Sequence, residues 1–337
     1  MNPFPIRLAY SRYRPTMKPF LVFVGIVAGL LSLAPSPVCA LEKNVKMIEP
    51  SPEFLAYWKS GLAEIASYEI REERYGEMRN AQGILVFVYE ETNADTRIKV
   101  ESEKTLPAKR IPVLKLNNVL KFNTGIYDYS IMTSVFAGLS GEGVKRPFQP
   151  QKIAFSSQEW CGNVYHQLIP KDKGLVSEIH SYFESEGDAI VTLPYPTGAI
   201  YYEDELPLLL RELDGEFLPP GEPLNIQLVP SLWERRKRHD PLGFKQAIIT
   251  KIGEESFLLH GIPLKTVNAL KWTLDIGGAI TTYHVENTAP RKLLGWENSK
   301  GEKGILLKSV RKSYWNHHEN KDQVMRKELQ LNYGVGG

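Results

Sequence analysis

Three patterns predict a mainly β protein, built on a curved or partly closed antiparallel sheet of open-barrel kind with two short helices in its first half. Tyr127, Tyr129, Ile131, Thr133 and Val135 alternate with Asp128, Ser130, Met132 and Ser134, the period of a strand with one buried face. Residues 84–89 form an unbroken apolar run suited to a strand covered on both sides. From Lys245 onward, turn sequences at 253–255, 277–278 and 299–301 each separate two strand-like runs, the spacing of a meander. Gly277-Gly278 is the sharpest hairpin signal.

The remaining elements follow in order. Ser51-Pro52-Glu53 opens a helix, with a capping hydroxyl, a proline suited to the first turn and an acid at the N-terminus. Phe54, Leu55, Tyr57, Trp58 and Leu62 give that helix an apolar face. Strand-like runs recur at 112–122, 175–183, 224–229, 246–252 and 266–276. A second helix is expected over 203–213, with Pro207 tolerated in its first turns and Asp214-Gly215 as its stop. The Pro/Gly-rich segment 218–223 is the best internal boundary. It divides a β-rich half (41–215) from a meander half (216–337), or forms a loop inside one continuous domain.

The first 40 residues read as a targeting segment. Arg7, Arg12, Arg14 and Lys18 precede an uncharged apolar stretch over 20–34, and small residues lead to Ala40, the order of a secretory signal peptide. The stretch is too short to span a bilayer, which takes about 20 residues. Cleavage after Ala40 is expected; lipidation at Cys39 and an uncleaved anchor are the alternatives. Without this leader, which holds four basic and no acidic residues, the formal charge falls from +2 to −2. The basic pI of the whole chain is thus a property of the leader and does not point to nucleic acid.

Composition excludes disorder, collagen and a disulfide-stapled miniprotein, with 42% hydrophobic residues and 2 cysteines in 337. No lipase elbow, zincin helix, Walker loop or dinucleotide fingerprint occurs. None of the seven histidines forms a metal-type pair, so neither metal nor cofactor is expected.

Two segments hold candidate chemistry. Cys161 is the one cysteine beyond the leader, and His166 and Gln158 are the residue types that would activate a thiol and stabilise an oxyanion. On an extended strand, residues 161 and 166 point to opposite faces, so the favoured reading is a buried, inert cysteine beside a core tryptophan. Arg235, Arg236, Lys237 and Arg238 form a basic run that reads as a solvated loop tip, with contact to an anionic membrane surface as the functional alternative.

Several strings are similar to those of a known family: residues 58–65, Arg74-Tyr75-Gly76-Glu77, residues 122–127, Met132-Thr133-Ser134 and residues 156–162. They resemble an uncharacterised family of secreted bacterial envelope proteins, some of them labelled septum formation inhibitor Maf. The Leu-Ala-Ser-x-Ser-Pro-Arg-Arg string of true Maf nucleotide pyrophosphatases does not occur. The second half, with residues 283–286, 290–294 and Tyr314-Trp315, is similar in style to periplasmic open β-barrels of the lipoprotein-carrier kind. The expectation is an exported protein, periplasmic or associated with the outer membrane, that binds an apolar or lipid-like ligand without catalysis or maintains the envelope. A cysteine-dependent hydrolase or acyltransferase is the alternative. N-terminal sequencing of the exported protein should read Leu41-Glu42-Lys43; an unprocessed chain in the cytoplasm would refute export.

Overall fold

The computed structural model describes residues 49–259 and 265–331. The predicted leader, and Cys39 with it, lies outside the described residues. The order is α1 (Pro52–Trp58), β1 (Ala63–Arg74), β2 (Glu77–Asn93), β3 (Arg110–Thr124), β4 (Tyr127–Gly138), β5 (Gln149–Glu159), β6 (Gly162–Lys171), β7 (Gly174–Ser181), β8 (Ala189–Leu193) and β9 (Ile200–Tyr202). There follow α2 (Leu206–Leu209), β10 (Pro223–Val229), α3 (Leu232–Arg238), β11 (Lys245–Leu259), β12 (Lys265–Ile276), β13 (Ala279–Glu286), β14 (Leu293–Asn298), β15 (Lys303–Lys312) and α4 (Val324–Glu328).

Among the described residues all 15 strands share one sheet, in the order β8 to β1, then β15 to β10, then β9. Every neighbouring pair is antiparallel except β9 with β10. The two halves of the chain meet where β1 pairs with β15, and β9 returns to lie beside β10. The sheet is therefore open, with β8 and β9 at its edges. Twisted sheets of more than about 10 strands curl, and the concave side of this one is filled by its own chain.

The alternation predicted for β4 is observed: Tyr129, Ile131, Val135 and Ala137 are buried on one face. In β2 both faces are covered. Leu85 and Phe87 join the main core, while Ile84, Val86 and Val88 pack with Leu329 and Leu331 from the chain's C-terminal segment. Gly277 and Gly278 both have positive φ, 61° and 92°, as the tight β12–β13 turn demands.

The first predicted helix is α1: Ser51 Oγ accepts the Phe54 N–H at 3.1 Å, and Phe54 and Trp58 enter the core. The second is shorter than expected, a 3-10 turn at Glu203–Glu205 leading into α2. At its end Arg211 is fully buried, its guanidinium 2.9 Å from Glu64 on β1, and it donates to the carbonyls of Pro290 and Arg291 at 2.8 Å. It also lies 4.5 Å over the ring of Phe87.

The hairpin turns alternate between two ends of the sheet, as in any meander. One rim carries the turns that follow β1, β3, β5, β7, β12 and β14. Removing one partner of the Arg211–Glu64 pair strands a charge in the core, so Arg211→Met should destabilise the fold by about 3–5 kcal/mol. Urea denaturation measures it; a loss below about 1 kcal/mol, the level of a surface pair, would refute this role.

Candidate functional site

The two segments that flank β10, residues 203–222 with α2 and residues 230–240 with α3, lie against the concave face, and a cavity of about 340 Å³ remains between them and the sheet. Its floor is mostly apolar, with Ile70, Leu85, Leu120 and Val135 from β1 to β4 and Tyr283 and Leu293 from β13 and β14, interrupted by the polar side chains of Asn118, Thr133 and Thr281. The inserted segments contribute Pro207, Trp233, Glu203, Asp204 and Glu234. At the rim the cavity reaches the β12–β13 and β14–β15 turns and the start of β11, where Ile280, Lys300 and Lys245 are exposed.

The carboxylates in this cavity have structural partners. Glu203 accepts the Ser231 N–H at 2.9 Å and Asp204 the Leu232 N–H at 3.1 Å, which satisfies the first turn of α3. Burial pushes Glu203 up to about 7 and Asp204 up to about 6. Glu72 is also pushed up to about 7 by burial, with Lys237 acting in the opposite sense. Its Oε1 accepts from Trp233 Nε1 at 2.7 Å.

Glu72, Glu234 and Glu302 converge at a spacing that would suit a cation, and Lys237 Nζ occupies their centre, 2.7, 2.5 and 2.6 Å from them. Burial works against that ammonium, but the three carboxylates together outweigh it and raise its pKa above the ordinary range.

This arrangement corrects the reading of Arg235, Arg236, Lys237 and Arg238 as a solvated loop. They form the last turns of α3, and Arg236 is only 2% exposed. Its guanidinium lies 3.0 Å from Glu159 and 3.4 Å from Glu186. Arg238 pairs with Glu234 at 2.7 Å, and Arg235 is partly buried beside the cavity. A signal for the helix was present: Ser231 and Glu234 stand at the capping-box spacing, and Ser231 Oγ accepts the Trp233 N–H.

The segment around Cys161 is also corrected. Trp160 and Cys161 are the two turn residues of the β5–β6 hairpin, beyond the last pair Glu159–Gly162, so both project from the sheet and are exposed. Tyr165 is exposed on the outer face. His166 points inward from β6, buried, with Nε2 2.8 Å from Ser177 Oγ. Burial, aided by the charge of Arg235, pushes its imidazole down to about 3, so it is neutral at physiological pH. Four residues of strand, about 13 Å, separate it from the turn. Gln158 is exposed beside Cys161. The structure thus does not bring Cys161 and His166 together. It does join the two segments through the ion pair of Arg236 with Glu159.

Comparison of the chain with protein-family models, with curated proteins and with solved structures finds no match in any of the three.

The carboxyl of Glu203 supplies a pH test. Its folded pKa lies above the ordinary 4.5, so the folded state keeps a proton that the unfolded state loses, and this contribution weakens stability as pH rises from 4.5 through 7. Glu203→Gln keeps an acceptor for Ser231 and removes the titration. The Tm of the variant relative to wild type should climb across that window; parallel curves from pH 4.5 to 8 would refute it.

Proposed function

We propose that this chain is an exported protein of the bacterial envelope that binds a single-chain amphiphile, without catalysis, in the cavity between the sheet and its inserted segments. The observation that carries this reading is the cavity itself, with a mostly apolar floor and an exposed polar mouth on one rim. Small-molecule sites join a mostly apolar lining to a few placed polar groups, in volumes of about 300–1,000 Å³. A cavity at the lower end of that range suits one acyl chain and not a whole phospholipid. Lys245 and Lys300 at the mouth suit an anionic head group, such as a carboxylate. Export and an envelope location rest on the leader pattern and on the resemblance to secreted envelope proteins.

The thiol-enzyme alternative needs Cys161 and His166 in contact. No observation of the site favours it, because the thiol is exposed at a hairpin tip and the imidazole is buried on the inner face.

Native mass spectrometry of the processed protein purified from its own cells should find a bound species of fatty-acid size. The protein should also take up a fluorescent C12 fatty acid, and Leu120→Trp, which fills the cavity from its floor, should abolish uptake while the protein remains folded. A clean apo mass together with no uptake by wild type would overturn the proposal.

A further inference from the structure

Large apolar side chains are normally spent in the core, yet four successive turns on one rim expose them. Ile126 in the β3–β4 turn is 84% exposed, Trp160 in the β5–β6 turn 70%, Tyr182 after β7 70% and Tyr75 in the β1–β2 turn 56%. They are not scattered. Tyr75 Oη bonds Tyr129 Oη at 2.8 Å, Tyr127 is the residue after Ile126, and the rings of Tyr127 and Trp160 are 6.2 Å apart. The Tyr182 ring packs so close over Gly162 that a Cβ there would lie 2.5 Å from it.

We infer that this rim is a membrane-docking edge, whose Ile126, Trp160, Tyr182 and Tyr75 enter the interfacial layer of a lipid bilayer. Three observations select lipid. The residue types are those of a bilayer interface, where tryptophan and tyrosine keep an apolar body in the acyl boundary and a polar edge in water. Tyr75, Ile126 and Trp160 stand on separate hairpin turns and Tyr182 at the start of the loop after β7, a spaced row that suits insertion into a fluid layer better than packing against a rigid partner. The row is also continuous with the cavity mouth: Gly301 of the β14–β15 turn lies beside Met78 of β2, just past the Tyr75 turn, and the neighbouring Lys300 lines the cavity.

Acidic and basic side chains interleave around the tips, with Glu77, Asp128 and Glu184 among Arg79 and Lys300. Insertion and not net charge is therefore the driving force, and binding should depend only weakly on salt. This inference deepens the binding function proposed above, because a mouth held at the bilayer lets an amphiphile pass between membrane and cavity without crossing water.

The test is flotation of the processed protein with vesicles of phosphatidylethanolamine and phosphatidylglycerol, at low and high salt. Wild type should co-float at both. Replacing Ile126, Trp160 and Tyr182 together with Ser should lower partitioning at least about tenfold, since burial of even one large apolar side chain contributes that much. These side chains are exposed, so the Tm should hold. Wild-type Cys161 gives an independent readout at the same tip: vesicles should slow its alkylation about tenfold, as expected for a group carried to the interface with an inserted tryptophan.

Failure of wild type to float, unchanged flotation of the triple variant, or unchanged Cys161 alkylation would each overturn the inference. So would capture of a protein partner by these tips while vesicles are ignored. If fatty-acid uptake persists in such a case, the rim alone is lost; flotation without uptake would leave the rim and remove the cavity reading.

Discussion

The fold depends on how charge is neutralised where the inserted segments that flank β10, residues 203–222 and 230–240, enter the concave side of the sheet. Five basic groups take part: Arg211 with Glu64, Arg146 with Glu205, Lys251 with Glu212, Arg236 with Glu159 and Glu186, and Lys237 with Glu72 and Glu302. Each of these pairs has one partner on the inserted segments and the other on the surrounding sheet or its loops. Taking such groups out of water costs several kcal/mol per ion, and apolar side chains of similar volume would often stabilise a core as well or better. Their gain is in register. β1 is gripped near its start by Arg211 and near its end by Lys237, and a segment shifted by one residue would leave several charges buried without partners.

That grip also explains why a cavity survives. An apolar insert would collapse onto Ile70, Leu120 and Val135, since nothing but packing would set its height above the sheet. Ion pairs and the bonds from Glu203 and Asp204 to the start of α3 fix the helix at a distance set by hydrogen-bond geometry. The cost is visible in the raised carboxyl groups of Glu72, Glu203 and Asp204, which burial holds nearer neutrality than solvated acids.

Much of the sheet was legible in the sequence because period-two alternation is local: β4 and the Gly277-Gly278 turn announce themselves within a few residues. The cavity was not, because its walls come from β1, β4, α3 and β13, and nothing short-range tells Leu120 that it will face Trp233. The basic run was misread for a related reason. Four cations in a row look solvated until the partners of Arg236 and Lys237, at Glu72, Glu159, Glu186 and Glu302, each at least 50 residues away in sequence, are folded against them. Cys161 was misread through its neighbour, since a tryptophan suggests a core, whereas Trp160 lies one residue beyond the last ladder pair.

The same rule links the tips to the interior. A hairpin turn beyond its last pair cannot bury its side chains against its own sheet, so an apolar residue there stays exposed unless something outside covers it. Arg236 fixes the Trp160 hairpin to α3 through Glu159, and Arg74 fixes the Tyr75 hairpin by donating to the Lys237 carbonyl at 3.1 Å. The helix that roofs the cavity and the turns that project from the rim are therefore one mechanical unit. A force that displaces the tips acts on α3 through two buried arginine contacts, and through α3 on the height of the cavity roof.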